Sequence, residues 1–487
     1  MKSLVMHTLK KTLTAVMYTT IGAVIALIIG FILYMNNKPD LESWHTVILK
    51  KEFTTQSGLQ NFDEYRSLEE ELFSEMNQRI INKLPENKKS RINRFTDNSL
   101  SNPTRWPQNW NKTYELKTDN ATAGVLMLHG LSDSPYSLQQ LGKHLHKTGA
   151  WVVGLRVPGH GTVPSGLVTV KWQDMAAAVK LAMHHLREKL GDKPLYIVGY
   201  SNGAALAVHY SLTALDDDSL PQPHRLVLLS PAIGVSPAAA YAVWQARIGH
   251  WLGLDKLAWL DVLPEYDPYK YQSFAVNAGD LEYQLTTEIQ SLIEQLEEGD
   301  QLKRFPSTLA FTSAVDATVS TLDALKYFFL RLHPGHHELV IFDINRSKSM
   351  QHLFTNDPEQ HIDKLLHSKS LPFTLSIVGN QEASSPEVVI RTHTSDDQPI
   401  VEKSLGIAWP KDIYSLSHVA LPFSPQDPLY GGSEASKSPG ITIGNLALHG
   451  EKGVLYIPPA DMLRQRWNPF YSLIESKTEN FLINNAE

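Results

Sequence analysis

Hydrophobic and polar positions divide this chain into three regimes. In the first, Thr12 through Met35, no charged residue occurs across 24 positions rich in Val, Ile, Leu and Ala. At about 1.5 Å of rise per helical residue, such a run can cross a hydrocarbon layer of roughly 30 Å. It is longer and more continuous than a secretory apolar core, and Tyr34-Met35-Asn36-Asn37-Lys38 carries no small-x-small cleavage pattern. Residues 12–35 therefore read as an uncleaved, single-pass transmembrane anchor rather than a buried helix. Lys2, Lys10 and Lys11 dominate the flank 1–11, whereas Lys38 is followed by Asp40 and Glu42. The positive-inside rule then predicts a cytoplasmic N-terminus and the rest of the chain on the outer side, periplasmic if the cell is bacterial.

The second regime, residues 36–111, is polar. It contains a helical stretch at Phe62 to Leu84 and a loop-like segment near Trp106 to Trp110, and it reads as a stalk and strap without visible chemistry. From Lys112 a third pattern begins, in which short apolar runs alternate with helical periods. Gly124 to Leu128, Trp151 to Leu155, Leu195 to Val198 and Leu226 to Leu229 read as buried strands. Leu138 to Lys147, Met175 to Leu190 and Ala204 to Leu212 read as helices. This alternation predicts an α/β fold with a doubly wound, mostly parallel sheet over 112–235. The pattern lapses over 236–305 into a helical, aromatic-rich insert with Trp244, Trp251, Trp259, Tyr266, Tyr269, Tyr271 and Phe274, where Leu281 to Leu296 reads as an acidic helix with a solvated face. It resumes over 306–346 with strands at Thr308 to Phe311 and Glu338 to Phe342. Residues 347–412 carry strand-like Phe373 to Val378 and Glu387 to Arg391, a small added β unit, and 413–487 end in a helix near Asn468 to Leu482.

Composition narrows the chemistry. A net charge of −7 over 487 residues argues against a nucleic-acid surface built on bulk positive charge. The absence of cysteine excludes disulfides, thiolate metal sites and a cysteine nucleophile. No Gly-x-Gly-x-x-Gly, P-loop or His-Glu-x-x-His string occurs, so neither nucleotide nor metal cofactor is implied.

The most informative stretch is Gly199-Tyr200-Ser201-Asn202-Gly203, a Gly-x-Ser-x-Gly string between a predicted strand and a predicted helix. On so sharp a turn the serine takes strained backbone angles and exposes its hydroxyl, provided the flanking residues are small. The helix that follows aims free N–H groups at that oxygen. At the end of the first buried strand, His129-Gly130-Leu131-Ser132 can turn so that the N–H of Leu131 points at the same site. With the N–H of Asn202 this makes a two-donor oxyanion hole. His129, and His160 within Pro158-Gly159-His160-Gly161-Thr162, read as loop-fixing residues rather than proton carriers.

Leu-His-Gly-Leu with Ser134-Pro135, then Pro-Gly-His-Gly-Thr, then Trp172-x-Asp174 opening a helix, then Gly-Tyr-Ser-Asn-Gly resemble the α/β-hydrolase superfamily in its monoglyceride-lipase-like and bacterial carboxylesterase branch. The resemblance is close over about 112–232 and loose beyond. It implies a serine hydrolase acting on carboxylic, acyl or lipid-like esters, with Ser201 as nucleophile and the insert 236–305 as a cap over the site, an ordinary helical subdomain with its own core being the rival reading of the insert. Asp316, just past the strand Thr308 to Phe311, resembles the family's acid; an N-cap for the next helix is the rival reading, and Asp343 a poorer candidate. For the histidine, the Ser417-His418-Val419 loop followed by Asp427 is favoured, with His352 as runner-up. Amidase, peptidase or thioesterase chemistry on the same fold, and a membrane-tethered binding or scaffold protein without activity, stand as alternatives.

Overall fold

The computed structural model describes residues 2–234, 255–316, 318–348, 364–366, 368, 371–394, 398–411, 413–432, 435–444 and 465–484. Helix α1 (Lys2–Asn37) is exposed along nearly all of its apolar length. Its stretch Lys10–Asn37 is long and apolar enough to cross a membrane. Helix α2 (Phe62–Arg79) follows in the strap, capped by Asn61, whose side chain accepts from the N–H of Glu64 at 2.9 Å.

The strands are β1 (Tyr114–Leu116), β2 (Ala123–Leu128), β3 (Ala150–Leu155), β4 (Leu195–Tyr200), β5 (Arg225–Leu229), β6 (Trp259–Asp261), β7 (Phe274–Ala275), β8 (Ser307–Ser313), β9 (Glu338–Phe342), β10 (Thr374–Asn380), β11 (Glu387–His393) and β12 (Val401–Ala408). All but β6 and β7 form one sheet in the order β1-β3-β2-β4-β5-β8-β9-β10-β11-β12. From β3 to β10 every neighbouring pair is parallel. The strands β1, β11 and β12 join antiparallel at the two edges.

A central parallel strand is covered on both faces and so must be apolar on both. Alternate residues of these strands divide between two cores. Leu126, Leu128, Ile197, Leu226 and Leu228 pack beneath helices α4 (Trp172–Leu190), α5 (Asn202–Asp216) and α6 (Val276–Glu298). Val125, Met127, Val198, Val227 and Leu229 face the other way, toward α3 (Gln139–Lys147) and the terminal α8 (Tyr471–Glu479); α7 (Thr321–Tyr327), which follows β8 in the chain, packs with Ala324 and Leu325 in the first core.

The strands expected at 373–378 and 387–391 as a small added β unit are β10 and β11, and with β12 they extend the central sheet at its edge. The reason lies in β10, whose apolar residues pair with β9 in parallel register. Helix α6 is amphipathic rather than simply solvated: Leu281, Leu285, Ile289, Ile293 and Leu296 are buried in the main core. The insert also contains the two-stranded ribbon β6–β7; Trp244 and Trp251 lie outside the described residues.

The strap is fastened by a buried charge cluster. The Arg156 guanidinium, beyond the end of β3, donates to both carboxylate oxygens of Glu52 at 3.0 and 3.1 Å, and its Nε donates to Glu69 at 2.9 Å. Glu69 also accepts from the N–H and hydroxyl of Thr113. Phe53, Phe62 and Tyr65 of the strap are part of the main core.

Candidate active site

Ser201 sits on the turn between β4 and α5 with φ +55° and ψ −119°, in the left-handed region that non-glycine residues avoid. Both flanking glycines are required sterically. A Cβ on Gly203 would lie 2.1 Å from the Leu128 carbonyl oxygen, and one on Gly199 would lie 2.5 Å from the Ala204 Cα. Strand and helix can therefore approach closely only with these residues, which aims the α5 N-terminus at the serine.

A Cβ on Gly130 would lie 3.2 Å from the Ser201 Cβ, so the turn after β2 abuts the serine. Among the described residues, no acceptor engages the N–H of Leu131 or of Asn202. The Asn202 side chain turns away, toward the Met175 sulfur at 3.7 Å. His129 fixes the loop as expected: Nε2 accepts from the N–H of Val157 at 3.0 Å, so Nδ1 is left to donate to the Gly130 carbonyl at 2.9 Å. Burial holds its imidazole well below the ordinary histidine range. His160 likewise bonds a local carbonyl, that of Pro158, at 3.0 Å, and burial pushes it down to about 4.

The structure brings Asp316 and His418 together across 102 residues of chain, with Nδ1 of the imidazole 2.8 Å from Oδ2 of the carboxylate. Both side chains are buried. Asp316 Oδ1 accepts from the N–H groups of Thr318 and Val319, each at 2.9 Å. Burial alone would raise the Asp316 carboxyl, but the His418 imidazole and the two N–H donors outweigh it and hold the group below the usual carboxylate range. Ser320, not Asp316, is the N-cap of α7. Asp343 is committed elsewhere, to the Arg346 guanidinium at 2.6 Å. With Asp316 ionised, Nδ1 carries the shared proton and Nε2 is the basic nitrogen. His418 adjoins the serine turn, since the Tyr200 ring lies 5.2 Å from the imidazole and its hydroxyl donates to the His418 carbonyl at 3.3 Å. His352 lies outside the described residues.

The long segment between β9 and His418 does not displace the histidine, because the chain returns to the point it left. Asn345, three residues past β9, donates from its N–H to the Tyr414 carbonyl at 2.5 Å and from its side chain to the Ile413 carbonyl at 2.8 Å. Farther along, Asp427 accepts from the Tyr136 hydroxyl at 2.9 Å and from the N–H groups of Leu429 and Tyr430, tying the histidine loop to the segment after Leu131.

Two acidic residues near the site carry no motif. Glu282 lies on α6, one turn before Thr286, whose hydroxyl donates to the Ala232 carbonyl at 3.3 Å; the Ala232 N–H in turn donates to the Ser201 carbonyl at 3.2 Å. Burial raises Glu282 to about 7, with His418 opposing and Asp316 adding to the rise. Asp133, buried beside Lys270 at 3.6 Å, is raised to about 6 chiefly by burial. An acidic, leucine-spaced helix gives no sign of which glutamate lies near His418 and Asp316, so only a helical-wheel test on α6 could have singled out Glu282.

A carboxylate near an imidazole favours its charged form, so loss of the Glu282 charge is expected to make His418 harder to protonate. The acid limb of kcat/KM on a soluble ester is therefore expected to move to lower pH in Glu282→Gln. The linkage has a matching sign: a raised carboxyl contributes stability fully below its ordinary range and loses it as pH climbs through about 7. Urea midpoints of wild type and Glu282→Gln between pH 4 and 8 should diverge over that window.

Residues 119–346 match a family model described as serine aminopeptidase, S33, a stretch that holds Ser201 and Asp316 and stops short of His418. A thermostable monoacylglycerol lipase of Bacillus sp. (strain H-257) is 28% identical over 91 residues, which is 19% of this chain and 36% of that protein, so the match spans about a third of the relative's length. Among solved structures, the monoacylglycerol lipase of Paleococcus ferrophilus is 20% identical with a TM-score of 0.36, covering 48% of this chain and 89% of that one. A soluble variant of the Saccharomyces cerevisiae monoglyceride lipase is 13% identical with a TM-score of 0.36, covering 47% and 82%. Likeness at that level adds nothing to the fold described above.

Proposed function

We propose that this chain, a member of the α/β-hydrolase superfamily, is a membrane-anchored serine hydrolase that cleaves carboxylic esters with lipid-like acyl groups. His418 Nε2 takes the Ser201 proton as the hydroxyl oxygen attacks the ester carbonyl. The oxyanion rests on the N–H groups of Leu131 and Asn202, and the proton passes to the departing alcohol. Water then releases the acid from Ser201 by the same steps in reverse order. Asp316 keeps the imidazole in the tautomer this needs and steadies its charged form. The observation that carries the reading is the buried His418–Asp316 pair at 2.8 Å, set beside a serine held in left-handed backbone by two obligatory glycines.

A fluorophosphonate probe tests it. Labelling of the wild type is expected, with none of Ser201→Ala and a strongly slowed reaction of His418→Ala. A wild type that resists the probe while hydrolysing no ester favours the non-catalytic scaffold. The matching family model's description names a peptidase, so the substrate screen should pair acyl esters with aminoacyl anilides. Hydrolysis of the anilides alone would replace ester by peptide as the substrate while leaving the roles of Ser201, His418 and Asp316 intact.

A further inference from the structure

The end of α1 is not a free tether. Directly after it, the Lys38 ammonium donates to the Trp259 carbonyl at 2.6 Å and to the Lys256 carbonyl at 3.3 Å. The Lys256 ammonium reaches back to the Lys38 carbonyl at 3.0 Å and to the Asp40 carboxylate at 2.9 Å. These reciprocal bonds pin the segment Asp255–Asp261 of the insert to the helix end. Trp259 itself is buried against His45, with ring centroids 4.9 Å apart.

Leu260 on that segment and Leu263, two residues past it, point outward. Leu260 is 47% and Leu263 41% exposed. Scattered exposed leucines need no explanation on a soluble surface. These two stand next to the carbonyl that Lys38 holds, where the chain leaves its apolar helix. The 28 residues Lys10–Asn37 span about 42 Å at 1.5 Å per residue, more than the roughly 30 Å of a hydrocarbon core, so on the anchor reading the polar Asn36-Asn37-Lys38 end would reach the headgroup layer. An exposed tyrosine with Lys38 5.4 Å over its ring suits that layer, with the lysine stem lying along apolar surface.

Resting on the membrane-anchor reading of α1, we infer that Leu260 and Leu263 form a bilayer-seating surface that holds the insert at the acyl boundary, so that substrate enters from the membrane. The partner is a lipid bilayer engaged by apolar insertion, since Asp255 and Asp261 on the same segment disfavour attraction to anionic headgroups. A stiff path links this surface to the site. Strand β6 pairs with β7 in the register Trp259↔Ala275, and α6 starts at the next residue. Glu282 lies six residues on, about 9 Å along the helix, close enough to His418 and Asp316 to couple to them electrostatically.

The chain has no cysteine, so Leu260→Cys and, on the outermost strand, Val401→Cys each create a single labelling site. The full-length proteins carry an environment-sensitive fluorophore at that position in phosphatidylcholine vesicles containing a nitroxide lipid. At least threefold stronger quenching at 260 than at 401 is expected. Equal quenching at both sites, or none at 260 in protein that floats with the vesicles, overturns the seating surface alone. Protein that does not float overturns the anchor reading and the seating surface with it. In a second measurement, Leu260→Glu with Leu263→Glu should slow hydrolysis of vesicle-embedded monoacylglycerol about tenfold and leave that of a soluble short-chain ester within twofold; equal loss on both substrates overturns the inference.

Discussion

Asp316→Asn is expected to lose about 10⁴-fold in kcat, the scale seen when the acid of a serine-histidine-acid triad becomes an amide. Local geometry gives the reason. Oδ1 of Asp316 is held by two backbone donors, the N–H groups of Thr318 and Val319. An asparagine at 316 must offer them its one oxygen, which turns its NH₂ toward His418. Nδ1 then becomes an acceptor, the ring proton moves to Nε2, and the nitrogen proposed to take the Ser201 proton can no longer accept one. Steady-state kinetics on a soluble ester, with far- and near-UV circular dichroism to establish an intact fold, measure the effect. A loss under tenfold in a folded enzyme means that Asp316 is not the partner the mechanism requires. The lowered Asp316 carboxyl also predicts that wild-type stability contributed by this group is present above the ordinary carboxylate range and is lost as pH falls through its lowered value.

The largest expected effect on stability is that of Arg156→Met. Arg156 and Glu69 are almost fully buried and Glu52 nearly so. Removing the guanidinium leaves the Glu69 carboxylate in a medium of low dielectric with only the donors of Thr113, and such losses cost about 3–5 kcal/mol. Burial already raises the Glu69 carboxyl, with Arg156 foremost in holding it down, so the variant should keep a proton on Glu69 to higher pH than the wild type does. Urea denaturation of the full chain in detergent should show the corresponding drop in midpoint at pH 8, with partial recovery at pH 5. Because the cluster joins the strap at Glu52 and α2 at Glu69 to the end of β3, limited proteolysis within residues 38–79 should accelerate in the same variant. A midpoint shifted by less than about 1 kcal/mol would mean that apolar packing of Phe53, Phe62 and Tyr65 holds the strap without the charges.

By itself the sequence determined what local rules control. Continuous apolar runs announced buried parallel strands because both faces of such a strand must be dry. An uncharged run of 24 residues announced a helix able to cross a membrane. The pair of glycines around Ser201 announced the turn, because only a missing Cβ allows the 2.1 and 2.5 Å approaches that the fold imposes there. Tertiary structure alone decided the rest. That Asn345 recaptures the chain at Ile413 and Tyr414, and so delivers His418 to Asp316 past an extension of the sheet, is a matter of which ends meet in space. That Glu282 lies close enough to this pair to couple to it electrostatically, and that Lys38 grips the Trp259 carbonyl, are likewise encounters between elements more than a hundred positions apart. Periodicity reports how a segment meets water, whereas side-chain contacts of this kind depend on the distance between segments, which no local pattern encodes.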